Sequence, residues 1–153
     1  MNEQSKIPKR RLALYAGIVV VAGIGRLAYD EYLVQRFAWR LPPALEREVG
    51  FAADVAPILE EHCWWCHNPR KFSGEYDMTS GEALIAGGET GRAVREGNAR
   101  RSRFMHLIVA RGDEWKMPPD GARLTDEEAA VLRTWIEQDL PWEELPDSDA
   151  SEE

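Results

Sequence analysis

Cysteine is nearly absent from this chain of 153 residues: there are two, Cys63 and Cys66, beside only three histidines. Two cysteines are too few for a disulfide framework, and none is expected. A zinc site built on a C-x-x-C pair needs a second pair of ligands. The remaining histidines beyond His67 are His62 and His106, and no third cysteine exists to complete one. Runs of alternating apolar and polar residues are also missing, so no sheet is expected, and with it goes the βαβ setting of a thioredoxin-like thiol pair. Basic charge is scarce after residue 40. Residues 41–153 hold twelve Lys/Arg against twenty-four Asp/Glu, and residues 143–153 hold six acids and no base. So acidic a body excludes a nucleic-acid binder. Its tail, 143–153, reads as a solvated, disordered end with docking as the alternative.

The balance reverses at the N-terminus, where residues 1–40 carry seven Lys/Arg and three Asp/Glu. Lys6, Lys9, Arg10 and Arg11 flank an uncharged run of fourteen residues, Leu12 to Gly25. Two readings compete: the apolar core of a cleaved signal peptide, or an uncleaved signal anchor. The anchor needs about 20 apolar residues, reached if Arg26 snorkels and Leu27-Ala28-Tyr29 extends the run. Tyr29, Tyr32, Phe37 and Trp39 would then form an interfacial belt. The anchor is the reading taken here, because no convincing small-residue cleavage site follows. Its positive flank places the N-terminus in the cytoplasm and the rest of the chain across a bacterial inner membrane, in the periplasm. Gly17, Gly23 and Gly25 would permit close packing on a partner helix.

What is present is concentrated in Cys63-Trp64-Trp65-Cys66-His67. This is C-x-x-C-H, the attachment signature of a c-type haem. Thiols at i and i+3 of one helical turn share a face and can add to the two vinyl groups of haem. The adjoining histidine can ligate iron from the same side. A metal-bound histidine donates its other N–H to a nearby acceptor. The carbonyl of Pro69, a residue with no N–H of its own, is the acceptor expected for Nδ1 of His67.

A second axial ligand is sought downstream. Met117 stands 50 residues after His67, in Lys116-Met117-Pro118-Pro119. The prolines stiffen an extended loop, and a thioether paired with histidine raises the potential. His106 is the rival, as a second imidazole. Met78 and Met105 read as core packing. His62 reads as a solvated or propionate-side histidine.

From about Val55 to Trp142 these motifs stand in a series. Val55-Ala56-Pro57-Ile58-Leu59 leads into Cys63–His67, and Asn68-Pro69-Arg70-Lys71 follows. Gly87-Gly88-Glu89-Thr90-Gly91, Gly97 with Ser102, Lys116-Met117-Pro118-Pro119, Leu124-Thr125-Asp126-Glu127-Glu128 and Trp135-Ile136 complete it. The series resembles the planctomycete-type cytochrome c domains, a branch of the class I cytochrome c fold. That resemblance implies one covalently bound haem c, with His67 proximal and Met117 distal. The Trp64-Trp65 pair is bulkier than the family's pattern, and its rings would cover a haem edge or present an aromatic surface.

The expected architecture is mainly α: a class I cytochrome c-like haem domain with an N-terminal single transmembrane helix. The divisions are 1–40 signal anchor, 41–50 linker, 51–142 haem domain and 143–153 acidic tail. A helix capped by Asp54 should carry Ile58, Leu59 and the cysteines, with further helices capped by Ser80, by Ser102 and by the Thr125–Glu128 capping box. The first and last of the domain should cross beside the haem. Val131, Leu132, Trp135 and Ile136 form the apolar stripe of the last helix. No catalytic constellation is visible, so no enzyme is expected. The expected role is one-electron transfer, as a tethered carrier or as a subunit of a membrane complex with redox proteins as partners. A haem-based redox or gas sensor and a structural subunit are the alternatives.

Overall fold

A computed structural model of the chain describes residues 9–112, 114–120 and 123–142. The acidic tail, 143–153, and Lys6 of the basic flank lie outside the described residues. The chain divides after Arg36 into two units. About half of it is helical. The only sheet-like pairing among the described residues is an isolated bridge between Gly88 and Gly91.

The described residues of the first unit are helical. Its helix α1, Lys9–Ala38, runs a short way past the division. The expectation of a transmembrane helix is not upheld here: no described helix is long and apolar enough to cross a membrane. Thirty residues give the length, but the sequence does not sustain the apolarity. Arg10 and Arg11 precede the fourteen-residue uncharged run, Arg26 ends it, and Asp30 and Glu31 follow within two turns. Apolar side chains such as Val21, Ile24 and Leu27 are exposed on α1.

The second unit begins as α1 ends. Leu41-Pro42-Pro43 allows no further helix, and the chain turns to run along the last helix. Residues 41–50 are not a free linker. Leu41 and Val49 are buried. The Leu45 N–H donates to the Thr134 hydroxyl at 2.8 Å, and the Val49 N–H to the Gln138 side-chain oxygen at 3.0 Å. A wide helical turn, Phe51–Val55, leads directly into α2, Ala56–His62. Asp54 does not cap this stretch from outside. It lies within the first turn, and its carboxylate reaches back to the Gly50 N–H at 3.0 Å while pairing with Arg47 at 2.7 Å. Three short helices follow: α3, Gly81–Ala86; α4, Arg103–Val109; and α5, Asp126–Glu137.

Local chemistry sets their ends. Ser80 caps α3 by accepting from the Ala83 N–H at 3.2 Å. Thr125 and Glu128 form a reciprocal capping box on α5. Ser102 precedes α4 but makes no side-chain cap. Its buried hydroxyl instead accepts from the Arg95 N–H and donates to the Asn98 carbonyl, both at 2.9 Å, closing the loop before the helix. The core forms where α5 meets the Phe51–Val55 turn and α4. Leu132, Trp135 and Ile136 are fully buried. Phe51 stacks on Trp142 at 3.8 Å between ring centres and tilts against Trp135 at 5.9 Å.

Candidate haem site

Helix α2 stops at His62, one residue before the motif, so the cysteines are not on the helix itself. Cys63–His67 is a separate turn, closed by Cys66 N–H to Cys63 carbonyl at 3.1 Å and His67 N–H to the same carbonyl at 2.9 Å. The turn still sets both thiols and the imidazole in one short arc. The Asn68 side chain caps it, donating to the Trp64 carbonyl at 2.5 Å and accepting from the Arg70 and Lys71 N–H groups.

The chain then doubles back along the motif. Ser73 N–H bonds the Cys66 carbonyl at 3.1 Å, and Met78 N–H bonds the His67 carbonyl at 3.1 Å. This return places the Tyr76 carbonyl 3.2 Å from His67 Nδ1. A carbonyl only accepts, so Nδ1 carries the proton and Nε2 keeps a free lone pair. The acceptor is therefore Tyr76, not Pro69. The Tyr76 ring also meets the imidazole edge-on at 5.5 Å. Its hydroxyl donates to the Leu84 carbonyl at 2.9 Å, and burial, then Cys63, raises its pKa.

Cys63, Cys66, His67 and Met117 line one cavity of about 410 Å³, within the usual range of about 300–1,000 Å³ for cofactor sites. Phe104, Leu107 and Ile108 of α4 form an apolar wall. The glycine-rich loop approaches from the side. Gly87 takes φ +83°, and a Cβ on Gly88 would stand 2.8 Å from Tyr76 Cβ and closer still to the Gly74 carbonyl. Only glycine lets this loop close on the segment that orients His67. Glu89 N–H donates to that same Gly74 carbonyl at 2.9 Å. Met117 is held from another quarter, its N–H donating to the Leu107 carbonyl of α4 at 3.1 Å.

The rival ligands separate in space. His106 is buried outside the cavity lining, its Nε2–H donating to the Arg100 carbonyl at 2.7 Å and its ring stacked on Phe37 at 5.1 Å. Burial lowers its pKa against the opposing pull of that hydrogen bond. Met105 is core. Met78 is buried and touches the cavity, but its backbone is bonded to His67 itself. His62 is half-buried at the cavity wall, its side chain largely covered, with Nε2 3.2 Å from Glu128 of the capping box. Trp64 is half-buried and donates its indole N–H to the Met78 carbonyl at 2.9 Å, whereas Trp65 is exposed under Lys71. Trp115, which no sequence motif marks, lines the cavity and is exposed. A lone tryptophan in a polar loop carries no periodic signal.

The donor set fits a haem c. Burial, then the neighbouring Cys66 thiol, pushes the Cys63 thiol up to about 12. A neutral thioether in that place has no charge to desolvate. One imidazole nitrogen, one thioether sulfur and a largely apolar wall complete the requirements. A second hollow of about 430 Å³, beside Ser80, Leu84 and Trp142, holds none of these groups.

No curated protein and no solved structure matches this chain. Residues 63–121, from the first cysteine of the motif to just beyond the Met117 loop, match the family described as Planctomycete cytochrome C. The match supports a cytochrome c-like domain, and that family points to haem c as the cofactor.

Proposed function

We propose that the second unit binds one haem c covalently and serves as a one-electron transfer protein, not an enzyme. The observation that supports this most is the convergence of Cys63, Cys66, His67 and Met117 on one cavity. In this reading Cys63 and Cys66 would hold the haem through thioether links, and His67 and Met117 would bind its iron. Bound haem c supplies one-electron exchange at its iron.

The chain's contribution is positional. The Tyr76 carbonyl holds the Nδ1 proton of His67, so Nε2 is the ring nitrogen available to ligate. Leu107 and the paired prolines restrain the Met117 loop, so its thioether reaches the cavity without a helix behind it. A neutral sulfur ligand favours the reduced state and raises the potential. Phe104, Leu107 and Ile108 of α4 would keep water from that side of the cavity. With His67 and Met117 both engaged by the iron, the protein would leave no position there for substrate.

Haem attachment of this kind suits a periplasmic location. The acidic balance of residues 41–153 suits redox partners with basic docking surfaces, in reactions that weaken with added salt. The test is made on protein purified from a host that attaches haem c. A denaturing gel with a haem-peroxidase stain should show colour at the mass of the chain. Potentiometry should give a single one-electron wave, and the reduced protein should not take up carbon monoxide. Loss of colour on denaturation, or carbon monoxide binding at rest, would contradict the proposal; the latter would favour a gas-sensing role.

A further inference from the structure

The α4 side of the cavity is not apolar throughout. Arg103, Phe104, Leu107 and Ile108 all line it. Their spacing of i, i+1, i+4 and i+5 makes one stripe on the helix. Met105, His106 and Val109 are buried outside the lining, in the core. The cavity stripe therefore ends, at the first residue of α4, in a guanidinium. Arg103 is exposed, which puts it at the cavity's rim.

Among the described residues, Arg103 is the one Lys or Arg that lines the cavity. Of the other groups there, His62 is engaged by Glu128, His67 by Tyr76, and Glu89 is an exposed carboxylate. Among the described residues none hydrogen-bonds or ion-pairs with the Arg103 guanidinium. Several other arginines of the unit do have partners: Arg92 pairs with Glu96, Arg123 donates to the Ile108 and Ala110 carbonyls, and Arg133 pairs with Glu137.

A haem is apolar over most of its ring and carries two carboxylates on one edge. The apolar part matches Phe104, Leu107 and Ile108. The carboxylates are costly to bury unless a cation or water receives them. We propose that Arg103 binds a haem carboxylate at the cavity rim, fixes which edge of the ring faces outward, and holds the reduction potential up. The inference rests on haem occupying this cavity. A planar guanidinium meets a carboxylate with two parallel hydrogen bonds, which orients as well as attracts. It also cancels a negative charge that would otherwise favour oxidised, more positive iron.

The test uses the haem-loaded full chain and reads midpoint potential between about pH 5 and pH 8, the range in which a carboxylate released from its cation begins to titrate. Arg103→Gln should shift the reduction equilibrium about tenfold towards the oxidised state, or about 59 mV for one electron, and should make the potential more dependent on pH. Arg103→Lys should recover most of the shift. Arg101→Gln, which removes a charge two residues away and outside the lining, should leave the potential close to the parent's. If Arg103→Gln does not load haem, Arg103→Met takes its place.

An Arg103→Gln protein titrating with the parent at every pH would overturn the assignment. So would an equal fall in Arg101→Gln, which would mark a general surface-charge effect. The haem stain separates the two levels. If the parent does not stain, the proposed function fails. If all variants stain and titrate alike, only the role of Arg103 fails.

Discussion

Replacing His106 by alanine tests how the wall behind the cavity is held. The ring is buried, donates to the Arg100 carbonyl at 2.7 Å and stacks on Phe37 with planes 20° apart. Truncation leaves a carbonyl without its donor, at about 1–3 kcal/mol. It also removes a stacked pair worth about 0.5–1.5 kcal/mol and opens a void beside Phe37. These terms overlap, because relaxation that fills the void can also rehydrate the carbonyl. The expected net loss is about 2–4 kcal/mol. Urea unfolding of the haem-loaded protein, followed by far-ultraviolet circular dichroism, measures it. The haem spectrum should not change, since His106 lies outside the cavity lining. A loss below about 0.5 kcal/mol, or a change of axial-ligand spectrum, would refute the reasoning.

Two further outcomes follow from the same contacts. Because burial lowers the folded pKa of His106, the unfolded chain binds a proton there more readily as pH drops. Stability should therefore be intact above the ordinary histidine value of about 6.5 and decline below it, towards the folded value. The slope is at most about 1.4 kcal/mol per pH unit, and His106→Gln should lack this component when unfolding is repeated across that window. Gly88→Ala should disturb the segment that orients His67, because the new Cβ meets the Gly74 carbonyl and Tyr76. A cost of about 1–3 kcal/mol and a broadened His67 ring signal in NMR are expected, and an unchanged melting curve would show that the loop has room to give.

The parts of the site that were legible in the sequence are those written in local spacing. Cys63, Cys66 and His67 are fixed to one another by adjacency, and the Thr125–Glu128 box and the Leu132–Trp135–Ile136 stripe are likewise local patterns. The acceptor for His67 was not legible, because it depends on the chain returning nine residues later to lay the Tyr76 carbonyl beside Nδ1. Local sequence favours the Pro69 carbonyl, whereas the non-local return of the chain supplies that of Tyr76. Asp54 and Ser102 have cap chemistry but spend it elsewhere, Asp54 on Gly50 and Arg47, Ser102 on the loop from Arg95 to Asn98. His62 and His106 look alike in sequence, and only burial and partners separate a cavity-wall residue from a core one. The N-terminal helix was legible as a helix. It does not qualify as a membrane span: the apolar run of fourteen residues reaches only Tyr29 when carried past Arg26, and Asp30 and Glu31 follow directly.

The central claim is that the cavity between the Cys63–His67 turn and the Met117 loop holds a six-coordinate haem c. The absorption spectrum of the oxidised protein tests it most directly, through the weak band near the red end that a methionine sulfur on ferric haem produces. The account predicts that this band is present in the parent chain and in His106→Ala, and absent in Met117→Ala. Its persistence in Met117→Ala, or its loss in His106→Ala, would contradict the account.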